Sequence, residues 1–190
     1  MISVVFLDRD GVINKDPEMY VTRWEDFVFI PRVLSALKKL SENQFKIFII
    51  SNQAGIGRKL YTNAELDIIT RNMLNEISSS GASIDGIFYC PHIEQDNCNC
   101  RKPKTGSLQK VKEQLTANFE EIDLKNSYFL GDKLSDIQAG CEFGVKTILV
   151  LSGKSKRADI ISWPVKPDFV ADDLWDAVVN IICCEKNKIY

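Results

Sequence analysis

Short apolar runs alternate along the chain with stretches of helical period. The runs are SVVFL (3–7), KIFII (46–50), GIFYC (86–90), SYFL (127–130), TILVL (147–151) and DFVA (168–171), each bounded by turn signals. As a group they are rich in Val, Ile, Leu and Phe without strict alternation, the pattern of strands covered on both faces. Between them, apolar residues recur at spacings of three and four. These are Val33, Leu34, Leu37 and Leu40; Leu66, Ile69, Met73, Leu74 and Ile77; Leu108, Val111 and Leu115; Leu134, Ile137 and Cys141; and Leu174, Ala177, Val178 and Ile181. Thr62 and Glu65 have the spacing of a capping box before the second stripe, and Asp172 or Asp173 is the expected cap of the last. Strand and helix in alternation predict an α/β fold: a Rossmann-like, doubly wound, mainly parallel sheet in three layers, α/β/α. The non-helical stretches 11–30 and 90–104 exceed ordinary connections, and loops of that length in a compact domain are usually functional.

Composition adds limits. A chain of 190 residues, 45% apolar and 26% charged, fits one domain over 1–190 with its own core. A net charge of -2 supplies no basic excess, so neither nucleic acid nor an anionic membrane is an expected partner. The start lacks the features of a signal peptide and no apolar run is long enough to span a bilayer, so a cytoplasmic location is expected. Of the six cysteines, three lie between 90 and 100 beside the only histidine, which suggests metal rather than disulfides. Cys141 belongs to an apolar helix pattern and is expected in the core; Cys183 and Cys184 receive no role.

Open parallel sheets bind ligands at the carboxyl ends of their strands. In FLDRDGVIN, Asp8 is the first residue past the first run, with Asp10 two further on. Ser51 is expected just past the second strand, Asp132 follows the fourth in YFLGDKLSD, and Lys102 precedes the third helix in CRKPKTG. Asp8, Asp10 and Asp132 form a hard oxygen set suited to Mg2+. With the cation and Lys102 offsetting charge, an aspartate can attack a phosphoryl group and become an aspartyl-phosphate. Ser51 is then placed to hold a phosphoryl oxygen, Asp10 to give and take a proton, and Asp136 to orient the metal or the lysine. An isolated DxD is more often a solvated turn; four such pieces on strand ends, in one order, make a site. A receiver-type signalling domain would carry its aspartate after the third strand, where this chain has Tyr89 and Cys90.

The segment YCPHIEQDNCNCRKP offers Cys90, His92, Cys98 and Cys100 as C-x-H-x5-C-x-C, a full tetrahedral set for structural Zn2+. The alternative is a loop of reduced cysteines. A closed four-ligand site staples a polar loop that cannot fold by burial, and this one ends directly at Arg101 and Lys102. With His92 committed to metal, no histidine remains for a triad.

DRDGVIN, SNQ, RKP and GDKLSD, in that order, resemble the four motifs of the haloacid dehalogenase (HAD) superfamily of phosphatases. The resemblance implies Asp8 as nucleophile and Asp10 as general acid and base that also offers its main-chain carbonyl to Mg2+. It further implies Ser51 and Lys102 as phosphate holders and Asp132 as metal ligand supported by Asp136, and it leaves no room for a large cap. The zinc loop with CPH and CxCRKP resembles the branch containing the D-glycero-D-manno-heptose 1,7-bisphosphate and histidinol-phosphate phosphatases, and YVTRWEDFVFIP and DGIFYCPH lean toward the former. A small phosphorylated sugar is therefore the implied substrate, with histidinol phosphate as the alternative and a zinc-stapled binding module without turnover as the rival of another class. Arg101 and Lys133 are expected to meet a far phosphate or sugar hydroxyls, and Asn52 and Gln53 to contact substrate. The five-residue spacer from His92 to Cys98 is shorter than in many heptose enzymes. In NQAGIGRKL the glycines permit close approach to a ligand or form a plain turn. Trp24, near Phe27 and Phe29, is expected in packing or at the mouth of the site. A monomer is expected.

Overall fold

The computed structural model describes residues 1–17 and 19–186. Strands β1 (Val4–Leu7), β2 (Lys46–Asn52), β3 (Gly86–Cys90), β4 (Tyr128–Gly131), β5 (Lys146–Val150) and β6 (Phe169–Ala171) form one sheet in the order β3-β2-β1-β4-β5-β6. Every pairing is parallel, as the two-faced apolar runs require. Helices α1 (Val33–Glu42), α2 (Ala54–Gly57), α3 (Asn63–Ser79), α4 (Gly106–Ala117) and α5 (Leu134–Phe143) connect the strands. The chain continues through α6 (Leu174–Asp176), a π-helical turn (Ala177–Ile182) and α7 (Cys183–Lys186).

Side chains alternate across the sheet and divide the core into two layers. Val5, Leu7, Ile47 and Ile49 pack with the apolar faces of α1, α3 and the C-terminal helical segment. Val4, Phe6, Phe48 and Ile50 pack with those of α4 and α5. The ring of Phe6 lies 6.2 Å from both Phe48 and Phe129, its neighbours across the β1–β2 and β1–β4 pairings. Each such fully buried side chain contributes about 1.5–3 kcal/mol relative to exposure.

The capping box of Thr62 and Glu65 forms in both directions, and Asp173 caps α6 by accepting from the Asp176 amide. Two expectations are corrected. Ser51 lies inside β2 rather than past it, because pairing with β3 continues through Ser51–Tyr89 and Asn52–Cys90. Cys141 is exposed: α5 turns Ile137, Ala139, Gly140 and Phe143 inward, and Gly140 lets the helix approach Thr147 and Phe129. Of the two places expected for Trp24, packing is the one it takes: it stacks on Phe27 at 5.1 Å and both pack on the core, and it does not line the site cavity. Cys183 is buried and Cys184 exposed.

The strand order reverses between β1 and β4, so the carboxyl ends of these two strands flank a crevice, the place where open α/β sheets bind ligands. Two long loops border it. Residues 11–30 double back on themselves through Lys15 N–H to Val28 O and Ile30 N–H to Ile13 O. Residues 90–104 are fastened by Gln53 N–H to Cys90 O and Gly57 N–H to Pro91 O. Among the described residues no helix is long and apolar enough to cross a membrane.

Candidate active site

Asp8 follows β1 directly, Asp132 and Asp136 follow β4, and their carboxylates offer oxygens within 4.8 Å of one another. Lys102 reaches this trio from the opposite loop. Its Nζ lies 3.1 Å from Asp8 Oδ2 and 2.7 Å from Asp136 Oδ1, and donates to Ile50 O at 2.7 Å. Burial alone would lower the Lys102 ammonium; Asp136 and Asp8 outweigh it and raise it, so the lysine stays charged. Asp132 accepts from the Lys154 amide at Oδ2, while its Oδ1 is buried with no hydrogen-bond partner. Gly11 makes this crowding possible: it has φ +86°, and a Cβ there would lie 2.6 Å from the Asp132 carboxylate.

Three buried carboxylates, one with a buried oxygen that no hydrogen bond satisfies, suit a divalent cation coordinated by oxygen. Burial pushes Asp132 up to about 7, with Lys133 opposing and Asp8 and Asp136 reinforcing. A folded-state value above the unfolded one means that the ion-free fold loses stability as pH rises from about 4 to 7. A cation relieves that loss by holding the ionised carboxylate. Saturating Mg2+ is therefore expected to raise the thermal midpoint more at pH 8 than at pH 5.5, where it must displace a proton. Equal increments in a thermal melt at the two pH values would contradict the assignment.

Asp10 turns away from the trio. Arg9, 1% exposed, clasps its carboxylate through Nη2 at 2.8 and 3.0 Å and through Nε at 3.2 Å. Asn14 Nδ2 and Gln53 Nε2 also donate to it, each at 2.9 Å. Burial would raise Asp10; Arg9 and these amides prevail and lower it, so in this arrangement it is ionised. Nothing in the sequence marks Arg9 as buried; its guanidinium lies 5.9 Å from the Tyr89 ring centroid.

Of the two amides expected to contact substrate, Asn52 lines the cavity and Gln53 does not. The Asn52 side chain pairs with the Lys102 backbone in both directions, accepting its N–H at 3.0 Å and donating to its carbonyl at 3.1 Å. It thus ties β2 to the loop carrying the lysine. Gln53 is 1% exposed and does not line the cavity; its amide bonds Asp10, Ser51 and Tyr61.

The ligand atoms of Cys90, His92, Cys98 and Cys100 converge. The sulfurs lie 3.2–3.6 Å apart, and His92 Nδ1 is 3.7 Å from Cys90 Sγ and 3.3 Å from Cys100 Sγ. A tetrahedral cation with metal–sulfur bonds of about 2.3 Å separates its sulfurs by about 3.8 Å, whereas a disulfide needs about 2.05 Å. The donor set fits a metal, and burial pushes Cys90 up to about 12 when no cation offsets it. Ser107 Oγ–H then bonds Cys100 O, Arg101 bonds His92 O, and the Lys104 ammonium bonds Asn97.

These pieces enclose a cavity of about 550 Å³ lined by Asp8, Asp10, Ser51, Arg101, Lys102 and Lys133, among others. The loop carrying the cysteines and His92 supplies one wall and Tyr20 of the 11–30 loop part of another. Tyr20, rather than Trp24, is the aromatic at the mouth. Lys133 Nζ pairs with Asp16 at 3.0 Å and approaches Asp132 at 3.7 Å; these carboxylates overcome its burial and raise it. Asp16 and Tyr20 escaped sequence reading because their value comes from how a loop folds back, which no local motif records.

The sheet, its switch point and the acidic trio define a hydrolase of the HAD type, and the family model for HAD-hydrolase-like proteins matches residues 99–177. The chain is 39% identical to D-glycero-alpha-D-manno-heptose-1,7-bisphosphate 7-phosphatase of Campylobacter jejuni, covering 83% of this chain and 87% of that one. It is 35% identical to D-glycero-beta-D-manno-heptose-1,7-bisphosphate 7-phosphatase of Escherichia coli, covering 94% and 89%. The solved structure of D,D-heptose 1,7-bisphosphate phosphatase from B. bronchiseptica, complexed with magnesium and phosphate, superposes with a TM-score of 0.87 at 28% identity, covering 96% of this chain and 99% of that one. The chain belongs to the HAD phosphatases, in the branch that holds these heptose bisphosphate phosphatases, and is a phosphoric monoester hydrolase.

Proposed function

We propose that this phosphatase removes the C7 phosphate of D-glycero-D-manno-heptose 1,7-bisphosphate through an aspartyl-phosphate on Asp8. The observation that carries the reading is Lys102, bonded at once to Asp8 and Asp136 in the crevice between β1 and β4. Mg2+ held by Asp8, Asp132 and the Asp10 main-chain carbonyl would neutralise phosphoryl charge, and Zn2+ on the four-ligand loop would be structural.

The residues then divide the chemistry. An Asp8 oxygen forms the bond to phosphorus as the bond from phosphorus to the sugar oxygen breaks, and Asp10 gives that oxygen its proton. Water next attacks the phosphorus, loses its proton to Asp10, and frees Asp8 and inorganic phosphate. Arg9 lowers Asp10 and favours its ionised form, the form that the second half needs. The first half needs the protonated form, which the negative charge of an entering phosphate favours. Ser51 and Lys102 hold the phosphoryl oxygens, and Arg101 and Lys133 face the remainder of the substrate.

A phosphate-release panel with Mg2+ tests the substrate. It comprises both anomers of the heptose 1,7-bisphosphate, histidinol phosphate and a 3′-phosphorylated oligonucleotide. A bisphosphate is expected to exceed histidinol phosphate in kcat/KM by about 10²-fold or more. Preference for histidinol phosphate would overturn the substrate while sparing the chemistry, and release from none would leave a binding module.

A further inference from the structure

We propose that Tyr61 is a positioning residue that, through Gln53, aims the Ser51 hydroxyl at the phosphoryl group. The inference rests on the reading of Ser51 as a phosphate holder and adds what directs it. The donor and acceptor directions follow from chemistry. Asp10 Oδ2 already accepts from Arg9 Nη2 at 3.0 Å, so Gln53 turns its amide nitrogen toward this acceptor oxygen, and Nε2 lies 2.9 Å from it. The other Nε2 hydrogen points to Ser51 Oγ at 3.0 Å. Ser51 therefore accepts on its buried side and keeps its own proton for an acceptor in the cavity that it lines.

Gln53 Oε1, on the far side, receives the Tyr61 hydroxyl at 2.5 Å. Tyr61 is 4% exposed, and burial raises its phenol, with Arg9 opposing and Asp10 adding, so it remains a donor. The site is built for this ring. A Cβ on Gly55 would fall 2.1 Å from Tyr61 Cε1, so the glycine in NQAGIG makes room for the tyrosine rather than for a ligand.

Removing the hydroxyl leaves Gln53 Oε1 buried without a donor. Asp10 bars the amide from turning its oxygen inward, so the amide shifts off the line that its nitrogen holds between Asp10 and Ser51, and Ser51 loses the donor that kept its own proton directed at the cavity. Tyr61→Phe keeps the ring over Gly55, and its thermal midpoint checks the fold.

The test is the affinity of the Mg2+-loaded protein for inorganic phosphate, measured by calorimetry in wild type, Tyr61→Phe, Ser51→Ala and the double variant. Inorganic phosphate has no leaving group, so this affinity does not depend on proton transfer by Asp10. Tyr61→Phe is expected to weaken binding by about tenfold, as loss of a hydrogen bond to a charged group does. In the Ser51→Ala background it should cost less than about twofold. An equal loss in both backgrounds, or none in wild type, would overturn the inference. An unchanged affinity in Ser51→Ala would remove the reading of Ser51 itself and the inference with it.

Discussion

Asp8→Asn is expected to abolish phosphate release, by on the order of 10⁴-fold or more, in a protein that still folds and still binds inorganic phosphate. The amide has the shape of the carboxylate and keeps an acceptor for the Arg9 N–H, now 2.7 Å from Asp8 Oδ1. It lacks the charge and nucleophilicity to form a bond to phosphorus. Two changes in stability oppose each other: the ion pair to Lys102 is lost, and one of three crowded carboxylates is neutralised. The thermal midpoint should therefore move little while kcat collapses, and KM should not rise to explain the loss. A variant retaining more than a hundredth of wild-type kcat would show that Asp8 does not carry the phosphoryl group.

The second large effect concerns the four-ligand loop. Cys98→Ser, or treatment with a chelator, is expected to lower kcat by about 10²-fold or more and to lower the thermal midpoint. Residues 94–99 are exposed or half-buried, so burial contributes little to ordering them, and metal binding supplies folding free energy in such segments. Lys102 stands two residues beyond Cys100, and its ammonium must meet Asp8 and Asp136 within about 3 Å. A misplacement of about 1 Å there costs about 10²-fold. After chelation, Mg2+ alone should leave activity low, and Zn2+ with Mg2+ should restore it. Full activity and an unchanged midpoint in metal-free protein would refute a structural metal.

Much of this arrangement was readable in the sequence because it is local. A run such as VVFL between turn residues has to be a strand, and once the sheet is parallel its carboxyl ends collect Asp8, Asp132 and the residues beside them. The four candidate metal ligands, Cys90, His92, Cys98 and Cys100, span eleven positions and need no tertiary argument. The boundaries that moved did so where pairing overrode composition: Ser51 and Asn52 are polar, yet β3 continues to pair with them. Cys141 was misplaced because its helix buries Gly140 and Ala139, residues too small to register in an apolar stripe. Arg9, Tyr61, Asp16 and Tyr20 were not legible at all. Their partners depend on side-chain directions and loop return paths, and a buried arginine between two aspartates looks, in sequence, like any solvated turn.

The most direct measurement is capture of the phosphorylated enzyme. Protein mixed with a heptose bisphosphate and Mg2+, quenched during turnover with borohydride, should carry the reduced form of an aspartate, homoserine, at position 8 in peptide mass spectra. Homoserine at another position, or none under conditions where phosphate is released, would contradict a covalent bond between Asp8 and phosphorus.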